Sequence, residues 1–187
     1  MYVELAAAVL GMATWTLAEY GLHRFLGHDR RTWPNPFAAE HTRHHSEGNY
    51  FAPARVKVAV GLAVVTMLTA AASLLVGTTL GAIYSASFTV MYAAYEVQHR
   101  RMHTHAGRGR WFRLLRRHHF HHHFANPKSN HGVTSPLWDV LFGTYEPAPR
   151  VRVPRQLAMA WLLDPATDDV QGDLAGEYEV PPRRRDA

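Results

Sequence analysis

Between Lys57 and Glu96 the chain carries 38 consecutive residues, Val58–Tyr95, with no charge among them. As one helix this run would extend about 57 Å at 1.5 Å per residue, nearly twice the roughly 30 Å hydrocarbon core of a bilayer. It must therefore fold back on itself. The stretch Gly77-Thr-Thr-Leu-Gly81, two glycines flanking threonines, is where a continuous helix is weakest. This predicts one membrane span over Val58–Val76 and another over Ala82–Val97, both short enough to favour local bilayer thinning over strong tilt.

The N-terminal segment Tyr2–Gly21 is also apolar but contains Glu4 and Glu19. Its uncharged part, Leu5–Ala18, is short for a span and would suit a signal-peptide core or a buried helix. It lacks the basic start of a signal peptide, so a first span is expected. Lysine and arginine collect on the cytoplasmic side of membrane proteins. None precedes Arg24 and none lies between Lys57 and Arg100, so all 20 fall on one side of three proposed spans. The expected topology has Met1 outside and the long C-terminal part in the cytoplasm.

The chain has 14 histidines. Ten form four groups: His23/His28, His41/His44/His45, His99/His103 and His119/His122/His123. Residues three and four apart share a helix face, which brings together each of the last three groups. His23 and His28 are five apart, roughly 140° around a regular helix, so that pair needs a helix end or a distortion. Neutral imidazole is a ligand for iron, zinc, copper and nickel. Ten imidazoles exceed one ion's needs. At roughly five or six positions per iron they suffice for two and leave room for oxygen or water. These groups are internal and interrupted, unlike an expression tag. They lie next to the predicted cytoplasmic ends of the spans, so charge and ligand position agree on the face that carries the chemistry.

The absence of cysteine excludes disulfides, thiolate ligands and a cysteine-bound iron–sulfur cluster. A net charge of +5 invites a nucleic-acid reading, but no nucleic-acid motif is present and the basic residues flank apolar spans. A face toward anionic headgroups is the expectation, with no nucleic-acid partner. Asp29–Phe37, with Trp33-Pro-Asn-Pro36, reads as a helix-breaking connection. Gly107–Arg117, with Trp111 and Phe112, reads as an interfacial anchor. Residues 1–146 are taken as the membrane domain. Residues 147–187 are taken as a cytoplasmic C-terminal tail, partly disordered, with disorder expected over Pro181–Ala187 and a modest apolar patch over Leu157–Leu163.

The four boxes, His-x4-His at 23–28, His-x2-His-His at 41–45, His-x3-His at 99–103 and His-x2-His-His at 119–123, precede the segment GVTSPLWDVLFGT at 132–144. In that order they resemble the fatty acid hydroxylase/sterol desaturase superfamily over Glu19–Thr144. The resemblance implies an all-α integral-membrane bundle of about three spans under a cytoplasmic, histidine-rich helical cap holding two irons. It implies a lipid hydroxylase or desaturase that uses O2 and takes electrons from an external reductase, ferredoxin or cytochrome. Its substrate would be a fatty acyl or sterol-like lipid drawn from the bilayer, past residues such as Met67, Leu74, Phe88 and Met91. The final segment is closer to fatty acid and sterol hydroxylases than to carotenoid hydroxylases, which remain an alternative. No catalytic side chain is required beyond the metal ligands, and zinc can replace iron in a purified sample.

Within His118-His-Phe-His-His-His123 two registers fit His-x2-His-His. Phe124 follows the histidine pair in the 119/122/123 register, as an aromatic does in the family, which selects it. His118, His121, His105 and His131 then default to non-ligands. Glu96 and Tyr95 are candidates to support the ligands from behind: Glu96 by accepting an imidazole N–H or simply as a helix-end charge, Tyr95 as substrate lining or interfacial anchor. Two other classes compete. A metal transporter needs ionisable groups within its spans, which Val58–Tyr95 lacks apart from tyrosine. A non-catalytic metal-binding protein would hold the ions and turn nothing over.

Overall fold

A computed structural model describes residues 1–183 of the chain. Its main elements are α1 (Tyr2–Gly21), α2 (Pro36–Glu47), α3 (Ala54–Val76), α4 (Thr78–Thr104), α5 (Arg110–Phe124) and α6 (Leu137–Leu141). The strands β1 (Val151–Arg152) and β2 (Tyr178–Glu179) follow and pair in parallel. The molecule is predominantly helical, as the sequence predicts.

The hairpin in the uncharged run is present, but it turns at one residue. Gly77 alone lies outside a helix, with φ +85°, a region that favours glycine. Gly81, expected as part of the break, lies inside α4, where a Cβ would come within 2.5 Å of the Ser73 nitrogen. It is a packing glycine, not a turn glycine. α4 correspondingly runs past the predicted end at Val97 to Thr104 without interruption, so a single rigid rod carries the apolar segment and both His99 and His103.

α4 packs between α1 and α3. Gly11 permits the close approach of α1, since a Cβ there would lie 2.2 Å from the Tyr84 carbonyl oxygen. Small residues at such crossings let helix backbones meet in apolar surroundings. Toward the histidines the same interface is filled by Trp15, whose ring lies 5.4 Å from Phe88, 4.8 Å from Tyr92 and 5.4 Å from Tyr95. Among the described residues, two helices are long and apolar enough to cross a membrane: the continuous Tyr2–His28 rod and Ala54–Val76. α3 buries no residue. Its Leu74 and Leu75 are 88% and 83% exposed, an apolar surface that suits lipid rather than water.

Past α6 the chain returns across α5. Val151, Val153, Met159, Leu162, Leu174 and Tyr178 join Met102, Leu115 and Phe120 in the principal buried cluster. Residues read from sequence as a basic interfacial anchor hold this segment in place. Arg113 and Arg117 pair with Glu177 at 2.7 and 2.8 Å. Arg116 is fully buried, donates to the Tyr178 hydroxyl and the Ala106 carbonyl, and lies 4.3 Å from the Trp161 ring centre. Trp111, 57% exposed, Leu114, Arg108 and Arg110 stay on the surface, as an anchor requires. Arg183 pairs with Asp168 at 2.8 Å. The remainder of the Pro181–Ala187 stretch expected to be disordered, residues 184–187, lies outside the described residues.

Candidate metal centre

Each histidine group is delivered by a different local device. α1 continues into a π-helical turn over Leu22–His28, whose i→i+5 bonding returns residue five toward the face of residue one. The distortion anticipated for His23 and His28 is therefore present. α2 is started by Asn35, whose side chain accepts from the Ala38 amide at 2.8 Å, with Pro36 in the first turn. Gly48, at φ +67°, stops it, so His41, His44 and His45 fall in its middle and last turns. His99 and His103 end α4, and His119, His122 and His123 end α5.

All ten histidines meet, in two groups of five. The first contains His23, His28, His41, His45 and His122; the second contains His44, His99, His103, His119 and His123. Within each group the potential ligand atoms lie within 4.8 Å of one another. The shared helix faces inferred from sequence thus divide further. His41 and His45 of α2 join the first group while His44 joins the second; on α5, His119 and His123 join the second while His122 joins the first. The two groups share a wall where the His45 and His123 rings stack in parallel at 4.0 Å.

In the first group, His41 Nε2 lies 3.0 Å from His23 Nε2, 2.8 Å from His28 Nε2 and 3.0 Å from His45 Nε2. His122 Nε2 lies 2.9 and 3.2 Å from those of His28 and His45. In the second, His44 and His99 Nε2 are 3.0 Å apart, and those of His103 and His119 are 2.9 Å apart. Behind the rings, His23 Nδ1 donates to the His131 carbonyl, His122 Nδ1 to Ser129 and His44 Nδ1 to Tyr50. A carbonyl can only accept, so these three rings carry the proton on Nδ1 and present the Nε2 lone pair inward. Burial disfavours imidazolium: it lowers His44 to about 4 and His45 to about 3, and holds His119, His122 and His123 well below the ordinary histidine range.

These features are the requirements of a cation site. One proton can join two imidazole nitrogens, but it cannot satisfy three neighbours converging on His41. Two ligands at right angles, each about 2.1 Å from one ion, are about 3.0 Å apart. That matches the observed separations. In the second group both ring nitrogens of His123 are buried without a hydrogen-bond partner. The donor set is imidazole throughout, suited to iron or zinc and unsuited to magnesium or calcium.

The neighbouring histidines have other partners. His118, the competing register, goes to the fully buried Asp139 at 3.0 Å. His121 goes to Glu146 at 2.9 Å. His131 is buried beside the first group, its ring 5.2 Å from His122. Tyr95 stacks on His99 at 5.5 Å, whereas Glu96 pairs with Lys57 at 2.5 Å and not with an imidazole. Of the residues suggested for a lipid path, Phe88 is buried, and Met67 and Leu74 face outward.

Two acidic residues went unassigned on sequence alone. Asp139 organises the 132–144 segment: it accepts from the His131 and Gly132 amides at 2.8 Å each, from Thr144 Oγ1 at 2.7 Å and from His118. Burial pushes its carboxyl up, but the His118, Gly132 and Thr144 donors outweigh that and hold it below its ordinary value. Glu19, 4% exposed, accepts from the Val133 and Thr134 amides at 3.0 and 2.8 Å. A carboxylate in an otherwise apolar helix was the available signal for Glu19.

A sequence model described as fatty acid hydroxylase matches residues 8–144. The chain is 32% identical over 142 residues to a dihydroceramide fatty acyl 2-hydroxylase of Arabidopsis thaliana, covering 72% of this chain and 58% of that protein. It is 29% identical over 156 residues to a fatty acid 2-hydroxylase of Mus musculus, covering 78% of this chain and 41% of the relative. It thus spans between two fifths and three fifths of these relatives. Among solved structures it resembles full-length scs7p, in which only the hydroxylase domain is visible, at 29% identity and a TM-score of 0.59 over 76% of this chain and 57% of that one.

Proposed function

The chain belongs to the fatty acid hydroxylase family, and we propose that it is an O2-dependent di-iron enzyme that hydroxylates a C–H bond of a fatty acyl lipid. The observation that carries this reading is the gathering of ten imidazoles from four elements into two adjacent groups of five. His23, His28, His41, His45 and His122 hold one iron, and His44, His99, His103, His119 and His123 hold the other. Bound iron supplies dioxygen activation and C–H oxidation, with two electrons delivered by an external reductase, ferredoxin or cytochrome.

The protein's own part is placement and exclusion. The Nδ1–H bonds of His23, His44 and His122 to carbonyls fix their tautomers, so their Nε2 lone pairs need no rearrangement to bind. The second group is closed from behind by two elements: Trp161 of the C-terminal segment donates from Nε1 to the His103 carbonyl at 2.9 Å, and Phe120 of α5 packs at 5.2 Å from the His103 ring. α1, α3 and α4 act as three spans, with the histidines on the cytoplasmic side where the lysines and arginines lie. An acyl chain would enter from the bilayer and reach the histidine groups past the end of α4, where Tyr95 lies against His99.

The test is to express the chain with a compatible reductase and compare total lipids with those of a His119→Ala/His123→Ala double variant. Hydroxylated acyl chains are expected with the wild type alone. A folded, iron-loaded wild type that adds neither oxygen nor unsaturation to any lipid rules out the enzyme and leaves a metal-binding protein. A carotenoid product, or an added double bond, redirects the substrate or the outcome within the same chemistry.

A further inference from the structure

The backbone behind the first group of histidines is held unusually. Four consecutive amides, those of His131, Gly132, Val133 and Thr134, all donate to just two buried carboxylates. Asp139 takes the first two and Glu19 the next two. The same stretch turns its carbonyls the other way: His131 accepts from His23 Nδ1, and Ser129, two residues earlier, accepts from His122 Nδ1. Both imidazoles belong to the first group. In the second group, His44 meets the Tyr50 carbonyl and His103 lies against that of Gly48, both on a different part of the chain.

From this geometry we infer that Asp139 and Glu19 are positioning residues for one metal of the pair, fixing the 129–134 backbone so that its carbonyls set the tautomer and direction of His23 and His122. The inference rests on the two-metal reading. Neither carboxylate reaches a ligand nitrogen; each acts through backbone. Asp139 is in turn fixed by His118 and by Thr144, whose hydroxyl also meets Tyr20. Replacing Asp139 with asparagine puts an N–H2 where one oxygen stands, opposite N–H donors that then lack an acceptor. The loop shifts to recover partners and takes the His131 carbonyl with it. Loss of such outer contacts typically weakens metal binding about 10- to 100-fold.

The selectivity between the two sites is what a general structural role would not produce. The full chain, purified in detergent and stripped by chelation, is titrated with Zn2+. The wild type is expected to take two ions. Asp139→Asn is expected to weaken one site about 10- to 100-fold and leave the other unchanged. In a His44→Ala background, which spoils the second group, Asp139→Asn weakens the remaining site by the same factor. In a His45→Ala background, which spoils the first, it has no effect. Equal weakening of both sites, no weakening, or an effect in the His45→Ala background overturns the inference. Should Asp139→Asn fail to fold, Glu19→Gln, which keeps one acceptor oxygen for the two amides, and Glu19→Leu, which keeps none, decide by the same titration: only the leucine is expected to weaken one site. A wild type that cannot bind two ions overturns the two-metal reading itself, a result distinct from an unresponsive Asp139→Asn.

Discussion

His44 and His45 are consecutive in the chain and belong to different histidine groups: His44 Nε2 lies 3.0 Å from His99 Nε2, and His45 Nε2 lies 3.0 Å from His41 Nε2. Successive residues on a helix are separated by roughly 100°, which is enough to aim neighbouring rings at two adjacent centres. α5 does the same with His122 and His123. A doublet of histidines at a helix end therefore acts as a spacer between the two groups.

The first prediction follows directly. His44→Ala and His45→Ala should each lower bound metal from two ions to about one per folded chain, and the double variant should bind none tightly. Elemental analysis of purified protein decides the matter. If either single variant empties both sites, the groups act as one cooperative centre and the division fails.

Acid should destabilise the metal-free protein in a definite window. His44 and His45 have folded pKa values lowered to about 4 and about 3 from 6.5. The unfolded chain then binds more protons than the folded one below pH 6.5, so stability is complete above that value and falls as pH drops toward 4 and 3. Thermal unfolding of chelator-treated protein should show a clear decline between pH 7 and pH 5. An unchanged midpoint over that range would contradict the burial of neutral rings.

Arg116 should matter more to stability than any exposed arginine. Arg116→Ala leaves the Tyr178 hydroxyl and Ala106 carbonyl short of a partner and opens space beside Trp161. A loss of roughly 3 kcal/mol is expected from the combined cavity and unmet hydrogen bonds. Arg152→Ala, at a side chain 71% exposed, should cost under about 0.5 kcal/mol. Denaturant unfolding in detergent compares them, and equal effects would refute the burial argument.

Gly11 and Gly21 offer a matched pair on one helix. A methyl at Gly11 would lie 2.2 Å from the Tyr84 oxygen, whereas nothing lies within 4 Å of one at Gly21. Gly11→Ala should force α1 from α4 and cost about 1–3 kcal/mol, while Gly21→Ala should be neutral or slightly stabilising. The ranking of thermal midpoints in detergent checks this, and a reversed order would mean that the helices do not cross there.

Much of this arrangement was legible from residue types and their spacing. The uncharged run dictated a helical hairpin, the i, i+3 and i, i+4 intervals dictated histidine faces, and the five-residue interval at His23 and His28 dictated a distortion, which the π-helical turn supplies. Gly81 misled because a glycine needed for close packing looks the same in sequence as one needed for a turn. Within Gly107–Arg117 the signal was incomplete: Arg108, Arg110 and Trp111 are exposed, whereas Arg116 is buried against Tyr178, a partner too distant in sequence for charge alone to reveal.

Local pattern thus determined that histidines would be grouped on helix faces, because helical periodicity is a property of neighbouring residues, while the choice of register within His118–His123 came from the family resemblance. Tertiary structure alone decided how the ten divide into two fives, since that depends on the angles at which α1, α2, α4 and α5 converge. It also decided what Glu19 and Asp139 do. Their amide partners lie as far away as 115 residues along the chain for Glu19 and as near as seven for Asp139, and no sequence interval reveals which backbone a carboxylate will meet once the helices have packed.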